Sequence, residues 1–317
     1  MKLRKTGLII LGILMILIIG FKVYLEIDNV SYNNRIENMN NNNELTGEVT
    51  CSVEHKTLTM DGYDIHYYVS GKAHEHLIVF LHPAFSDHTA FDQQIDYFSK
   101  KYCVITVDLI GHGLSKAHKS KDQIDASLQH LEKILETEGY DKAHVVGVSM
   151  GSLVAQYFTH KHPGKTKTLI ALGGYNINKD NKDVKKSQQS VNLGLIVRAV
   201  FSMKSFRKKV AEMSCKTEQG QILCYKTLRH YDRRSFKVMQ GLQNIVKHRE
   251  NIKPQFPVLI LTGAYDIDLA KTMGESWHSE TEGSQYKQIK DAGHCANIDN
   301  PSEFNQVVSV FIDANND

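Results

Sequence analysis

The chain has 317 residues, of which 41% are hydrophobic and 23% charged, and its formal net charge at pH 7 is +3. This length suits one large domain with an insertion. Five scattered cysteines are too few for a disulfide framework, and no His-Glu-x-x-His or closely spaced Cys/His pattern indicates a metal site. The basic residues come without a recognition motif, which argues against a nucleic-acid-binding protein.

Residues 1–30 predict a membrane anchor. Three basic residues lie among the first five and precede an unbroken apolar run at residues 7–21, which continues weakly to Leu25. A helix over residues 7–25 is about 28 Å long, close to the thickness of the hydrocarbon core of a bilayer. A cleaved signal peptide is the alternative, but no good small-x-small cleavage site follows, so we favour an uncleaved anchor. The basic start predicts that the rest of the chain lies outside the cytoplasm.

Residues 31–50 predict a tether between the anchor and a folded domain at residues 51–317. This stretch is rich in asparagine, with four in succession at positions 40–43. A polar segment of such low complexity buries too little apolar surface to offset the entropy lost on folding. The sequence therefore predicts an unfolded linker here.

The folded domain is predicted to begin with a β-hairpin. Residues 57–60 and 63–68 have strand character, and the Asp-Gly pair between them favours a two-residue turn. Residues 76–81 and 102–108 are short apolar runs typical of buried strands, and helical patterns fall between the strands. We therefore expect the hairpin to lead into the core of the domain.

The sequence Gly-Val-Ser-Met-Gly at residues 147–151 joins a predicted buried strand to a helical pattern. A serine on such a sharp turn has a strained backbone and an exposed hydroxyl. Glycine is needed at both ends because a side chain there would clash across the turn. The free N–H groups at the start of the helix point at the reacting oxygen. An ordinary Gly-rich turn is the alternative, but the strand–turn–helix context favours Ser149 as a nucleophile.

Beyond a strand predicted at residues 166–172, residues 176–255 form an insertion with an uneven charge. The insertion contains 18 Lys and Arg but only 6 Asp and Glu, a net charge of +12. Solvated helix faces explain this excess, and so does a surface for anionic lipid or for negatively charged substrates. A set of its apolar residues either lines an acyl pocket or packs inside the insertion: Val191, Leu193, Leu195, Ile196, Val200, Phe201 and Met203. Cys215 and Cys224 are free thiols or, outside the cell, a disulfide pair.

A nucleophilic serine needs a base and an acid that orients the base. Asp266 follows the predicted strand at residues 257–263, at the edge where parallel sheets bind their ligands. His294 follows a short strand predicted at residues 286–289 and precedes a helix. The alternatives are a helix-capping role for Asp266, Asp268 as the acid, and a structural role for a buried His294.

The chain order of Ser149, Asp266 and His294 resembles that of the α/β-hydrolases. Two more segments are similar to the pattern of that family, His-Pro-Ala-Phe at residues 82–85 and Asp-Leu-Ile-Gly-His-Gly-Leu-Ser at residues 108–115. The resemblance implies an α/β fold with a mostly parallel central sheet flanked by helices. It also implies that the insertion is a helical cap that covers the active site and influences the choice of substrate.

The resemblance assigns further roles within these segments. The backbone N–H groups of Ala84 and Met150 would form the oxyanion hole. The family usually has glycine where this chain has Pro83, but the donor belongs to the following residue, so the N–H of Ala84 remains available. His82 and His112 would form hydrogen bonds within turns.

Together these residues predict a serine hydrolase of the esterase or lipase type, which cleaves a small-molecule acyl ester through a Ser-Asp-His triad without a cofactor. A dehalogenase is disfavoured, because that family would have aspartate in place of Ser149. The alternatives are a hydrolase of small peptides and a ligand-binding or sensor protein without turnover. The predicted location is the cell membrane, with a single span and an extracytoplasmic catalytic domain, or the medium after signal cleavage.

Overall fold

The computed structural model describes residues 2–41, 49–117, 119–179, 182–246 and 253–316, and for residues 2–14, 16, 40–41 and 183–192 it describes the backbone alone. Within these residues the strands are β1 (Glu54–Met60), β2 (Tyr63–Ser70), β3 (Leu77–Leu81), β4 (Cys103–Val107), β5 (Ala143–Val148), β6 (Thr166–Leu172), β7 (Val258–Gly263) and β8 (Gln285–Ile289). The helices are α1 (Lys2–Asn41), α2 (Asp92–Phe98), α3 (Ser127–Glu138), α4 (Met150–Lys161), α5 (Lys182–Phe201), α6 (Met203–Ser214), α7 (Glu218–Thr227), α8 (Leu242–Ile245), α9 (Asp268–Glu280), α10 (Ala296–Asp299) and α11 (Pro301–Asp313). Short 3-10 turns lie at His88–Phe91, Ile124–Ala126, Pro163–Lys165 and Arg233–Gly241.

The eight described strands form one sheet in the order β1-β2-β4-β3-β5-β6-β7-β8. The pairs β1–β2 and β2–β4 are antiparallel, and every other pair is parallel. The central strands are buried along their whole length, as expected when helices cover both faces of a parallel sheet. In β3, Val79 packs into one apolar cluster, while Ile78 and Phe80 pack into the other. The prediction of a mostly parallel sheet flanked by helices is confirmed.

The N-terminal hairpin is also confirmed. Met60 pairs with Tyr63 across the turn, so the loop consists of the two residues between them. Asp61 and Gly62 both have positive φ, 50° and 82°, the backbone conformation that a tight hairpin turn needs. The hairpin continues the sheet beyond β4 and lies far along the strand order from β7 and β8.

The insertion between β6 and β7 contains α5, α6, α7 and α8, and we refer to it as the cap. Its side chains Phe206 and Tyr231 pack over the same face of the sheet as α2 and α11, whereas Val238 and Ile245 belong to the apolar cluster on the other face. Cys215 and Cys224 in the cap are free, buried thiols. Cys103 in β4 and Cys295 are buried free thiols as well.

The N-terminal helix α1 continues to Asn41, so the predicted unfolded tether is wrong for residues 31–41. These residues are helical because the helix packs against the cap. Tyr32 is only 2% exposed, and its hydroxyl donates to the carbonyl of Gln221 at 3.2 Å. Tertiary contact thus stabilises a segment whose composition alone does not favour folding. Residues 42–48 of the tether lie outside the described residues.

No helix in the described part of the chain is both long and apolar enough to cross a membrane. The side chains of residues 1–14, which make up much of the predicted anchor, lie outside that part.

Candidate active site

Ser149 lies on the turn between β5 and α4 with φ 53° and ψ −115°, an unusual conformation for a residue with a side chain. Its N–H donates to the carbonyl of Leu172 at 2.7 Å and fixes the turn to β6. A Cβ at Gly151 would lie 2.0 Å from the carbonyl oxygen of Leu81, and one at Gly147 would lie 2.3 Å from the carbonyl oxygen of Gly151. Both flanking positions therefore require glycine because a Cβ would clash with the backbone, as the sequence predicted.

His294 connects the serine to a carboxylate. Its Nε2 lies 2.8 Å from Oγ of Ser149, and its Nδ1 lies 2.9 Å from Oδ2 of Asp266. A carboxylate only accepts, so Nδ1 carries the proton and the neutral ring accepts from the serine hydroxyl at Nε2. The other oxygen of Asp266 accepts from the N–H of Ile267 at 2.8 Å, which fixes the carboxylate in place. The structure thus brings together the three residues predicted as a triad.

The alternatives for the acid do not fit this geometry. Asp268 begins α9 with its side chain 99% exposed and pairs with Lys271 at 3.0 Å. The residue that caps α9 is Ile267, which supplies no side-chain hydrogen bond. Asp266 is neither this cap nor a surface residue, since its side chain is only 2% exposed and faces the imidazole.

The electrostatic environment of His294 favours its charged form. Burial lowers the pKa of the imidazole, but the negative charge of Asp266 and the hydrogen bond to it more than offset this effect and raise the pKa to about 9. An imidazole that gains a proton is therefore stabilised in this position. This is what a base needs when it takes a proton from a hydroxyl.

Gly173, at the end of β6, leaves room for the imidazole. A Cβ at this position would lie 2.8 Å from Cε1 of His294, and the backbone has φ 64°, which side chains rarely adopt. The close approach of the ring to the sheet therefore depends on glycine here.

The two predicted oxyanion donors, Ala84 and Met150, follow the neighbouring parallel strands β3 and β5. Met150 is the first residue of α4, so its N–H belongs to the turn of donors that have no acceptor within the helix. Ala84 follows Pro83, whose carbonyl accepts from the N–H of Ser86 at 3.3 Å and from Nδ1 of His82 at 2.8 Å. Proline at 83 therefore takes part in this turn through its carbonyl, and the missing N–H is not required.

His82 and His112 have the structural roles that the resemblance implied. Nε2 of His82 accepts from the N–H of Leu109 at 3.0 Å, which ties the ends of β3 and β4 together. His112 donates from Nδ1 to the carbonyl of Ile110 at 3.1 Å. Burial, and then the neighbouring His82, lowers the pKa of His112 to about 3, so this ring remains neutral.

The turn at residues 108–115 is built around the Asp108 carboxylate. It accepts from the N–H and Nδ1 of His88 at 2.9 and 2.8 Å, and from the N–H of Leu114 at 2.8 Å. Although burial raises the pKa of Asp108, the hydrogen bonds and charge of His88 and the N–H of Leu114 lower it to about 2. A Cβ at Gly113 would collide with this carboxylate at 2.1 Å. The segment is therefore a structural support for the site.

Comparison with known proteins agrees with the fold. Residues 76–196 match a family model described as the alpha/beta hydrolase fold. The chain has the α/β-hydrolase fold.

Individual relatives of this α/β-hydrolase are distant. It is 25% identical over 281 residues to epoxide hydrolase 1 of Caenorhabditis elegans, which covers 78% of this chain and 67% of that protein. It is 23% identical over 270 residues to 3-oxoadipate enol-lactonase 2 of Acinetobacter baylyi, which covers 81% of this chain and 96% of that protein. The crystal structure of a membrane phospholipase A has a TM-score of 0.65 at 17% identity over 100% of both chains, which shows a shared fold.

An aromatic cluster that was not predicted from the sequence packs beside the oxyanion segment. Phe85, directly after Ala84, has φ 70° and contacts three rings of the cap. The ring centroids lie 5.2 Å from Phe206, 5.0 Å from Tyr231 and 6.0 Å from Phe236. These contacts form an aromatic wall between the oxyanion segment and the cap.

The apolar residues predicted to line an acyl pocket or to pack inside the cap divide between two environments. Leu195 is 7% exposed and belongs to the core, as the packing alternative expected. Leu193, Ile196 and Val200 are exposed. The side chain of Val191 lies outside the described residues.

A second group that sequence reasoning missed is the carboxylate of Asp299. Its Oδ2 accepts from the N–H of Gly293 at 2.8 Å and from the N–H of Lys216 at 2.7 Å. Its Oδ1 accepts from the N–H and Oγ1 of Thr217 at 2.9 and 2.7 Å. Asp299 thus ties the loop of His294 to the cap between α6 and α7. No local pattern indicates this contact, because Thr217 lies 82 positions away in sequence.

Proposed function

We propose that this α/β-hydrolase cleaves a carboxylic ester with Ser149 as the nucleophile. The observation that carries the proposal is the chain of two hydrogen bonds from Ser149 through His294 to Asp266, with the serine on a strained turn. This arrangement is the one that converts a weakly nucleophilic hydroxyl into an alkoxide-like attacking group.

The proposed reaction has two halves. His294 takes the proton of Ser149 as the oxygen attacks the ester carbonyl, and Asp266 keeps the imidazole oriented and stabilises its positive charge. The N–H groups of Ala84 and Met150 stabilise the oxyanion, with each such donor worth about 3 kcal/mol in the transition state. His294 then gives its proton to the departing alcohol. A water molecule, deprotonated by the same ring, hydrolyses the acyl-enzyme.

Serine chemistry limits which reactions of the relatives apply to this chain. The lactone named for the Acinetobacter baylyi relative is a cyclic ester, and attack by Ser149 on a bond of this kind would give the same acyl-enzyme. An epoxide opened by Ser149 would instead leave an alkyl ether on the enzyme, and water does not hydrolyse an ether under these conditions. We therefore favour an ester or lactone over an epoxide as the substrate.

We further propose that the substrate is an acyl ester of lipid-like character, held near a membrane by residues 1–30 with the catalytic domain outside the cytoplasm. The apolar run at residues 7–21 and the basic residues before it support this location. The net charge of +12 in residues 176–255 and the aromatic wall beside the oxyanion segment favour an apolar ester that lies close to anionic lipid.

Labelling of the full chain with a fluorophosphonate tests the chemistry directly. The parent protein should gain one phosphonyl group on Ser149, which intact mass and peptide mapping would locate, while Ser149→Ala should gain none. Ser279→Ala, which removes an exposed serine on α9, is the matched control and should label like the parent. If the folded parent remains unlabelled, or labels at another serine, the hydrolase proposal is wrong and a ligand-binding role takes its place.

A further inference from the structure

The last part of α5 carries an exposed apolar stripe. Its buried side consists of Leu195 and Ala199, which face the cap core. A helix at the surface of a globular protein normally places apolar residues at the spacing i, i+3, i+4, i+7 toward the core. In α5 the residues with that spacing face outward, between 39% and 65% exposed, and we call them the α5 stripe: Leu193, Ile196, Val197 and Val200.

The N-terminal helix passes beside the end of this stripe. The rings of Phe21 and Phe201 meet edge to face with centroids 5.6 Å apart, and Asn29 donates from Nδ2 to Oγ of Ser202 at 3.2 Å. Exposed apolar residues of α1 come just before this contact along the helix: Met15, Leu17, Ile18 and Ile19. The α5 stripe is therefore continuous, through Phe201 and Phe21, with these exposed apolar residues of α1.

Basic side chains lie near the C-terminal end of the stripe. The guanidinium of Arg233 donates from Nε to the carbonyl of Ala199 at 2.7 Å and from Nη2 to the carbonyl of Val200 at 3.2 Å, so it sits at the end of α5. Lys204 is exposed on the next helix, and Lys22 is exposed one residue after the ring contact in α1. An apolar strip with a basic border is the pattern of a helix that lies in the interface of an anionic bilayer.

We propose that the α5 stripe rests in the headgroup region of an anionic phospholipid bilayer. The helix would lie parallel to the membrane plane, beside the point where α1 reaches the bilayer. This docking extends the proposed function, because it would hold the cap at the membrane surface where a lipid-like ester lies. The membrane contact itself requires no turnover by Ser149.

The alternative to a bilayer is a second copy of the chain that packs against the α5 stripe. Charge argues against it, because a symmetric contact through α5 would bring together two caps that each carry a net charge of +12 in their sequence. An anionic surface instead attracts these charges, by about 1 kcal/mol for each Lys or Arg near the membrane. The bilayer is therefore the occupant that suits both the apolar and the charged part of this face.

Tryptophan quenching tests the contact in the full chain. The protein contains one tryptophan, Trp277, which is only 4% exposed. A second one would be introduced by Val200→Trp, or as a matched control by Val310→Trp on α11, where the native valine is 64% exposed. Both proteins would be reconstituted into vesicles of phosphatidylcholine and phosphatidylglycerol in which part of the phosphatidylcholine carries brominated acyl chains.

If the stripe lies in the interface, brominated lipid should quench the added emission of Val200→Trp at least about twofold more than that of Val310→Trp, because interfacial helices sit roughly 5–10 Å into the headgroup boundary. Replacing phosphatidylglycerol with neutral lipid should reduce this difference. Equal quenching of the two variants would overturn the proposal. So would an unquenched Val200→Trp in a protein that light scattering shows to be dimeric, since a second copy would then cover the stripe.

A paired variant separates this contact from the chemistry. Leu193→Glu combined with Val200→Glu should lower hydrolysis of an ester embedded in anionic vesicles at least about tenfold, while hydrolysis of a soluble short-chain ester remains unchanged. An equal loss on both substrates would contradict a role at the membrane. If no protein hydrolyses either ester, the hydrolase proposal fails, and the quenching measurement still decides whether the stripe contacts lipid.

Discussion

At the ends of β5, β7 and β8 short turns of the backbone carry the reactive groups, whereas the cap is attached to the sheet mainly by side chains. Ser149 directly follows β5, Asp266 comes three residues after β7, and His294 comes five residues after β8. A backbone hydrogen bond also joins the two regions, from the N–H of Cys295 to the carbonyl of Ser214 in α6 at 2.7 Å. The cap instead depends on contacts such as Nδ1 of His230 with Asp87 at 2.8 Å and Oγ of Ser86 with Thr227 at 2.7 Å.

This difference separates the residues that carry out the proposed reaction from those that hold the cap over them. The ends of strands are fixed by a ladder of backbone hydrogen bonds. Side chains at these ends can therefore keep their geometry when the cap above them changes. The cap, which is held by individual polar contacts, can shift when one of these contacts is lost. Substitutions at the strand ends should therefore abolish the reaction, and substitutions in the attachments of the cap should modulate it.

The largest effect after loss of the nucleophile is expected from Asp266→Asn. Loss of the charge should lower kcat about 10³- to 10⁴-fold, because the imidazole loses the group that fixes its tautomer and stabilises its charged form. The matched control is Asp268→Asn, which changes an exposed carboxylate two residues away and should leave kcat within about twofold of the parent value. Comparable losses in both variants would mean that Asp266 has no special role.

The pH dependence of kcat/KM tests the role of Asp266 in a second way. A base must be neutral to act, and the pKa of His294 is about 9, so kcat/KM should rise with pH through neutrality and level off above pH 9. In Asp266→Asn the charge that raises the pKa is absent while burial still lowers it, so the inflection should move to lower pH. A profile of kcat/KM against pH for both proteins measures the shift, and an inflection that stays in place would contradict this account of the pKa.

The two regions also differ in how much the sequence predicts. The residues at the strand ends have local signals: a serine between glycines, an aspartate after an apolar run and a histidine after a short strand. Spacing therefore predicted the elements and their order, and the resemblance supplied the roles of Ala84 and Met150. The sequence favoured Asp266 over Asp268 by its position just after the strand, and the structure separates the two carboxylates by their exposure, 2% against 99%.

The attachments of the cap have no local signal. The partners of Asp299 and Phe85 lie far away in the sequence, so their identity depends on the packed fold. The prediction of an unfolded tether was wrong for a related reason, since Tyr32 becomes buried only when α1 meets the cap. Composition describes what a segment does alone, and contact with another element overrides it.

A smaller effect is expected from Asp299→Asn. An asparagine side chain has one acceptor oxygen, so in either orientation its NH2 group would face N–H donors that now bind the carboxylate. Displacement of the loop at Gly293 and His294 should lower kcat for a soluble ester about tenfold, equivalent to about 1.4 kcal/mol, with KM unchanged. The rate of fluorophosphonate labelling should fall by the same factor.

The control for Asp299→Asn is another carboxylate between the cap and the sheet. Asp125 accepts from Nδ2 of Asn244 at 2.8 Å but does not contact the histidine loop. Asp125→Asn should leave kcat unchanged, because it alters an attachment of the cap without moving the base. If both variants lower kcat equally, or if Asp299→Asn raises KM alone, then Asp299 acts on the cap in general and does not position His294.

The smallest effect on turnover is expected from Tyr32→Ala, which loosens α1 from the cap. The Tyr32 ring lies edge to face with Tyr225 on α7, with centroids 5.1 Å apart, and removal of a buried aromatic ring costs about 3 kcal/mol or more. Hydrogen exchange followed by mass spectrometry should show that α7 opens roughly 100-fold more readily, while turnover of a soluble ester changes less than about threefold. Tyr24→Ala, at a position 57% exposed on the same helix, should leave exchange in α7 unchanged. Because α7 begins only a few residues from the turn that Asp299 holds, a large loss of turnover in Tyr32→Ala would mean that the N-terminal helix controls the histidine loop and that the two regions are coupled.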